Sequence, residues 1–289
     1  MEKDREDGVL TPTMQLVCQP SWMRDEMAVS GVPMHHSFGI EVPNFEADDI
    51  WWMPQGFAVE MNHALDHYGL RQVVLSAPGP ELLPGISKEF TGRTIRLLSA
   101  EEALANPVEG WWKSAEAKIE NFPSAYRTAV ELVNDIKDNV LPADSVLHHT
   151  DTLLSIAREF RSFIAHDKVL STSVYLVANE GVQTTVYDGA EALPGDIERV
   201  HEFLDNLIKS VALPPSVVAD VAILETGEII LLEFNPSWCS AWYNNDINAV
   251  VECIGAGFHL SPAELSKWKY EPDPYFVAKV SRRAILPLR

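Results

Sequence analysis

The sequence predicts an α+β protein of two lobes, and three observations carry that reading. Strand-rich and helix-like stretches alternate along the first third, the pattern changes near residue 106, and two β-hairpins then follow in the second half. The division expected is an α/β lobe over residues 1–105 and a second lobe over 106–289. A chain of 289 residues is about twice the usual domain size, and 46% hydrophobic against 22% charged residues is a globular composition that folds around a core.

The elements follow in order. MQLVC near Met14 reads as a strand and Gln55 to His67 as a helix. LRQVVLS from Leu70 and GRTIRLLS from Gly92 are β-rich runs, separated by the Pro- and Gly-spaced turn APGPELLPG. Ser99 with acidic residues behind it starts a helix that Pro107 ends. Tyr126 to Val140 reads as helix from its apolar positions Ala129, Val130, Leu132, Val133 and Ile136. Three strands are expected next, from Ser145, Glu159 and Lys168, with His166-Asp167 as the turn of a hairpin. Pro194 opens a helix through Leu207, VVADVAILE and EIILLEF flank a second turn at Thr226-Gly227, and a last helical stretch covers Asp246 to Ala256. The tail from Ser261 is punctuated by proline and ends in Arg282, Arg283 and Arg289.

Forty-two acidic residues against 22 basic ones leave a formal charge of −20, which repels nucleic acid phosphates and anionic lipid. Nucleic acid is therefore not an expected partner. The N-terminal MEKDREDG lacks the apolar stretch of a signal peptide, and no run reaches the ~18 apolar residues of a membrane span. Three cysteines with no CxxC spacing fit free thiols in a reducing, cytoplasmic compartment.

The segment VADVAILETGEIILLEFNP carries the most chemistry. With its turn at Thr226-Gly227, Asp220 falls opposite Glu233 within a residue or so, and Asn235 shares the face of Glu233. Two carboxylates and an amide converging in an apolar hairpin form either a hard-cation site, Mg²⁺ being the ion that would leave positions for phosphate, or a solvated polar face.

Asp220 followed thirteen positions on by Glu233-Phe-Asn235-Pro236, at the end of a hairpin, resembles the metal signature of the ATP-grasp superfamily. WWKSAEAKIENFPSA and REFRSFIAHDKVLSTSVYLV extend the likeness upstream, in particular to a bacterial and phage clade with one arginine, two lysines and a Glu-aromatic-Arg strand. The resemblance covers about 106 to 256 and implies an ATP-grasp fold behind a preceding α/β lobe. It implies ATP and Mg²⁺ as cofactors, with Asp220, Glu233 and Asn235 on the metal and Lys113 and Lys118 on phosphates. It places Arg161 at the γ-phosphate or substrate, Glu159 at the ribose or on Arg161, and Ser145 to Thr150, with His148 and His149, at the adenine.

Two features depart from the superfamily. Lys113 to Pro123 contains no glycine, and Val218 stands where amino-acid ligases of the superfamily often carry an arginine, leaving Arg161 as the cation for an acyl phosphate. The implied activity is an ADP-forming ligase that joins a small-molecule or peptide carboxylate to an amine. The alternatives are an ATP-binding or sensing module and a small-molecule kinase. SWCSAWYNND is suited to a substrate pocket, with Ser240, Tyr243 and Asn244 as polar contacts and Trp238 and Trp242 as walls. His63 and His67 have a metal-ligand spacing but no third ligand, and Cys239 has no histidine placed beside it.

Overall fold

A computed structural model describes residues 12–116, 118–119, 121–179 and 182–289; the charged N-terminal MEKDREDG lies outside these. The first lobe builds a parallel sheet from β1 (Met14–Val17), β2 (Met34–Ser37) and β3 (Ile50–Trp52), in the order β2-β1-β3. Helix α1 (Ser21–Ala28) connects the first two strands, and α2 (Gln55–His67) follows the third, as the sequence predicts.

No strand forms over Leu70 to Leu75. The Asn62 side chain of α2 takes the place of a strand neighbour, donating to the Val73 carbonyl at 2.9 Å and accepting from the Val73 amide at 2.9 Å. The short α3 (Lys88–Thr91) then ends on Gly92, whose φ of 65° is left-handed.

A second, antiparallel sheet is made of β4 (Arg96–Ser99), β5 (Gly110–Ser114), β6 (Ala125–Arg127) and β7 (Val146–Thr150), in the order β4-β7-β5-β6. Its helices are α4 (Ala100–Ala105), which starts on a Ser99–Glu102 capping box, and α5 (Ala129–Asp138), which starts on a Thr128–Glu131 capping box. The second box explains why the helix begins three residues later than the apolar pattern suggests. Because β4 pairs with β7, the expected division after residue 105 falls between strands of one sheet.

The third sheet comprises β8 (Ile156–Ala165), β9 (Lys168–Asn179), β10 (Val182–Thr185), β11 (Ser216–Leu224) and β12 (Ile229–Asn235), in the order β10-β9-β8-β11-β12. Its first hairpin turns at His166 and Asp167, with φ of 47° and 59°, the pair of positive values a two-residue type I′ turn needs. Helix α6 (Asp196–Ser210) buries Val200, Leu204 and Leu207, spaced along one helical face, against this sheet.

The chain then returns. Helix α7 (Ile247–Ala256) packs on β8 and β11, and α8 (Pro262–Trp268) and α9 (Pro274–Val280) bring the tail back to the first lobe. There the Val42 amide donates to Pro287 at 2.8 Å and the Arg289 amide to Val42 at 2.9 Å. The tail expected within the second lobe is thus bonded to the first. Among the described residues no helix is long and apolar enough to cross a membrane.

Candidate active site

The sheet register sets three charged side chains in a row. Arg161 on β8 pairs with Asp220 on β11, and Asp220 pairs with Glu233 on β12, the match expected from counting back from the turn. Arg161 closes on Asp220 through two bonds, Nε to Oδ1 at 2.8 Å and Nη2 to Oδ2 at 2.7 Å, with both side chains almost wholly buried. Asn235 Nδ2 donates to Asp220 Oδ2 at 3.1 Å and to Glu233 Oε1 at 2.9 Å. Lys113 reaches across from β5 to form an ion pair with Glu233.

The charges hold one another. Burial works against the charge on Arg161, but the Asp220 carboxylate outweighs it and raises the guanidinium above its ordinary pKa. Burial likewise opposes the charge on Glu233, and Lys113 and Asn235 overcome it, keeping that carboxyl well below the usual range. Asp220 itself is raised by burial, against the pull of Arg161.

A cleft of about 290 Å³ lies between the second and third sheets. Lys113, Glu159 and Glu233 mark its polar end, and Ile95, Leu154 and Leu232 supply apolar walls. Trp112, fully buried, anchors the strand that presents Lys113 and donates to Val108 O at 3.2 Å. Tyr175 donates its hydroxyl to Glu159, whose carboxyl burial raises.

His148 and His149 line the cleft but are buried in structural roles. The His148 Nε2–H donates to Pro80 O at 2.7 Å, and burial, then Lys113, pushes its pKa down to about 4. His149 donates to Glu109 O at 3.3 Å and packs its ring 4.4 Å from Trp112. Strand β7 is interior, paired with β4 on one side and β5 on the other, so its backbone groups face neighbouring strands. Thr152 and Leu154 of the segment that follows it line the cleft.

Other expected positions part company. Lys118 is exposed and lines a second cavity of about 270 Å³, together with Lys113, Glu116 and Asn235. Ser240 is buried and fully engaged: its hydroxyl donates to Pro236 O at 2.7 Å and its carbonyl accepts from Trp52 Nε1 at 2.8 Å. Trp238 and Trp242 are buried as well, donating to Ser76 O and to Glu26. Asn244 is exposed, while its neighbour Asn245 is buried and donates to Ser173 Oγ at 2.8 Å. Tyr243 stacks on Tyr175 with centroids 4.9 Å apart, and its ring centre lies 5.0 Å from the Arg161 guanidinium carbon. Arg161, expected at the γ-phosphate, is therefore clamped to Asp220 beneath two tyrosines.

Several residues of the site had no sequence signal of their own: Arg93, Tyr175, Asn245 and Glu116. Glu116 is pushed up to about 7 by burial, then by Asp273, Glu81 and Glu271. Cys239 is a buried thiol pushed up to about 12, which makes it a poor nucleophile. His63 and His67 are both exposed on α2.

Among the described residues no three His, Cys, Asp or Glu side chains gather as a metal site. The hairpin triad is two carboxylates and an amide, and Asn235 Nδ2 now stands between the carboxylates as a cation would. Turning that amide by 180° presents Oδ1 instead. The resulting all-oxygen donor set fits Mg²⁺.

Residues 90–253, more than half of the chain, match a family model described as an ATP-grasp domain, family 2 of the clade with one arginine and two lysines. No curated protein matches the chain. Similar solved structures include the D-cycloserine synthetase DcsG, at 9% identity and TM-score 0.46 over 84% of this chain and 98% of its own. A D-alanine–D-alanine ligase from Bacillus anthracis complexed with ATP aligns at 13% identity and TM-score 0.38 over 78% and 85%. An N5-carboxyaminoimidazole synthase from Aspergillus clavatus, in complex with ADP and its ribonucleotide, aligns at 9% identity and TM-score 0.46 over 88% and 79%.

Proposed function

This chain belongs to the ATP-grasp domains, in family 2 of the clade with one arginine and two lysines, whose cofactors are ATP and Mg²⁺, and from that premise we propose that it is an ADP-forming ligase joining a carboxylate to an amine. The observation that carries the reading is the cleft itself: apolar walls at one end and, at the other, a lysine facing a pair of carboxylates. An apolar slot suits a base, and the cations of the polar end suit phosphates.

In this reading Asp220, Glu233 and Asn235 would hold Mg²⁺, which would offset phosphate charge and draw the phosphate oxygens together. Lys113 lies at the junction of the two cavities and would guide phosphate past Glu233, with Lys118 contributing from the second cavity. Arg161 would act through Asp220, fixing the carboxylate rather than touching the substrate. Tyr243 and the exposed Asn244 border the reacting end and would meet the acceptor. A carboxylate activated as an acyl phosphate would need shielding from water until the amine attacks, which the closed cover over Arg161 suits.

One observation favours a second reading, an ATP-binding module without ligation. Arg161, left as the cation for an acyl phosphate, is shut beneath Tyr175 and Tyr243. ADP release on adding mixed small carboxylates and amines to the Mg²⁺–ATP-loaded protein separates the two.

Nucleotide binding is the first test, read as a thermal shift. Mg²⁺ with ATP or ADP at ~100 times its dissociation constant should add about 2.7 kcal/mol of stability, on the order of 5 °C for a chain of this size. AMP should add little, and Glu233→Gln should abolish the Mg²⁺-dependent part while leaving the apo Tm within a few degrees. A wild-type protein indifferent to every nucleotide would end the ATP reading.

A further inference from the structure

Strand β12 is irregular where the site needs it to be. Asp220 pairs with Glu233 but the next residue, Val221, pairs with Leu231, so Leu232 is an extra residue on β12. The effect on side-chain direction is visible on both faces. Leu231 and Phe234, three apart, share one apolar cluster, which a strand of period two does not allow. Leu232 and Glu233, adjacent in sequence, both line the cleft. The bulge thus lets one strand offer an apolar wall and a carboxylate side by side.

A bulge on β12 also disturbs its carbonyls. In a regular strand successive carbonyls point to opposite edges. Here the Leu231 and Leu232 carbonyls are both bonded to a single guanidinium, that of Arg93, at 3.2 Å from Nη1 and 3.0 Å from Nη2. Arg93 Nη1 donates as well to Thr91 O at 2.9 Å, and Thr91 Oγ1 donates back to Arg93 O at 2.6 Å, which makes the segment a rigid bracket. Because β12 is an edge strand, the bracket occupies its open side. Gly92 permits the approach, since a Cβ there would sit 2.9 Å from Ile230 of β12.

We propose that Arg93 is a positioning residue, whose forked guanidinium holds the bulge at Leu232 and thereby aims Leu232 and Glu233 together into the cleft. Its place is 9% exposed, and burial lowers its pKa to about 10 while Glu233 supports its charge, so it remains a cation at neutral pH. The geometry of the fork matters more than the charge: a lysine offers one point of positive charge and cannot span two carbonyls. The clamp stands on hydrogen bonds and register alone, whereas its consequence for ATP rests on the function proposed above.

Hydrogen exchange on the full chain tests the clamp without any ligand. In Arg93→Lys and Arg93→Met the amides of 229–235 should exchange about tenfold faster or more, the loss expected from charged hydrogen bonds, while those of Ile156–Ala165 keep their wild-type rates. Dissociation constants for Mg²⁺–ADP should rise about tenfold in both variants, with no rescue by lysine. Unchanged exchange over 229–235 in the lysine variant overturns the proposal, as does wild-type ADP affinity with lysine in place, which would make Arg93 a charge only. Should Arg93→Met fail to fold, the lysine variant still decides. If the wild type itself binds no nucleotide, the ATP reading fails and the exchange result still judges the clamp.

Discussion

At the scale of single residues, the site is a set of charges that are stable only in one another's company. The Arg161–Asp220 pair is almost free of solvent, and removing one partner leaves the other charged and buried. Arg161→Ala should therefore cost about 3–5 kcal/mol of unfolding free energy in urea titration. A loss near zero would mean the guanidinium serves a ligand instead of Asp220. His148 predicts a pH dependence of definite sign. Its pKa falls from 6.5 to about 4 on folding, so the unfolded chain takes up the proton first and stability is lost as pH drops below 6.5. Between pH 7.5 and 5 the wild type should lose about 2 kcal/mol more than His148→Gln. Equal losses in the two proteins would show that His148 titrates freely in the fold. Asp220, Glu233 and Asn235 were legible at this scale because a hairpin has period two, whereas Arg93 was one arginine in a β-rich run with nothing near it in sequence to mark a partner.

At the scale of elements, the decisive features are the places where regular structure is broken. The bulge on β12 sets the direction of Glu233, and the turn at His166-Asp167 fixes the register that brings Arg161 beside Asp220. The start of β5 is equally constrained. Gly110 has φ of 153°, and a Cβ there would fall 2.4 Å from His149 Nε2 and 2.7 Å from Thr150 O. Gly110→Ala should push β5 away from β7, costing about 2–3 kcal/mol and weakening Mg²⁺–ADP binding together with the Tm. An alanine variant with unaltered Tm would mean that β7 yields without strain. The strands and the second-half helices were readable from apolar period and turn residues. The expected strand from Leu70 was not realised, because an asparagine on α2 satisfied its backbone instead.

At the scale of the whole molecule, the net charge of −20 coexists with a cleft that gathers Arg93, Lys113 and, in the adjoining cavity, Lys118. Such local cations, set in a low-dielectric wall, can draw a polyanion that the overall field repels. The lobes are tied twice. Trp52 and Trp238 bond the loop after β12 to the first lobe, and the C-terminal tail pairs Val42 with Leu288. The aromatic residues following the metal triad, expected as pocket walls, largely form this tie: Trp242 packs 5.6 Å from Trp52 and bonds Glu26.

The sequence by itself determined the hairpin, the pairing of Asp220 with Glu233, the face shared with Asn235, and the lysine strand WWKS, since all of these depend on local periodicity and turn chemistry. Only the tertiary structure decided that Lys113 meets Glu233, that Arg161 is shut beneath Tyr175 and Tyr243, and that Arg93 grips the bulge. Those outcomes depend on which sheet faces which and on where an edge strand is left open. Contacts between residues up to 139 positions apart are set by packing, and no local pattern in the chain encodes them.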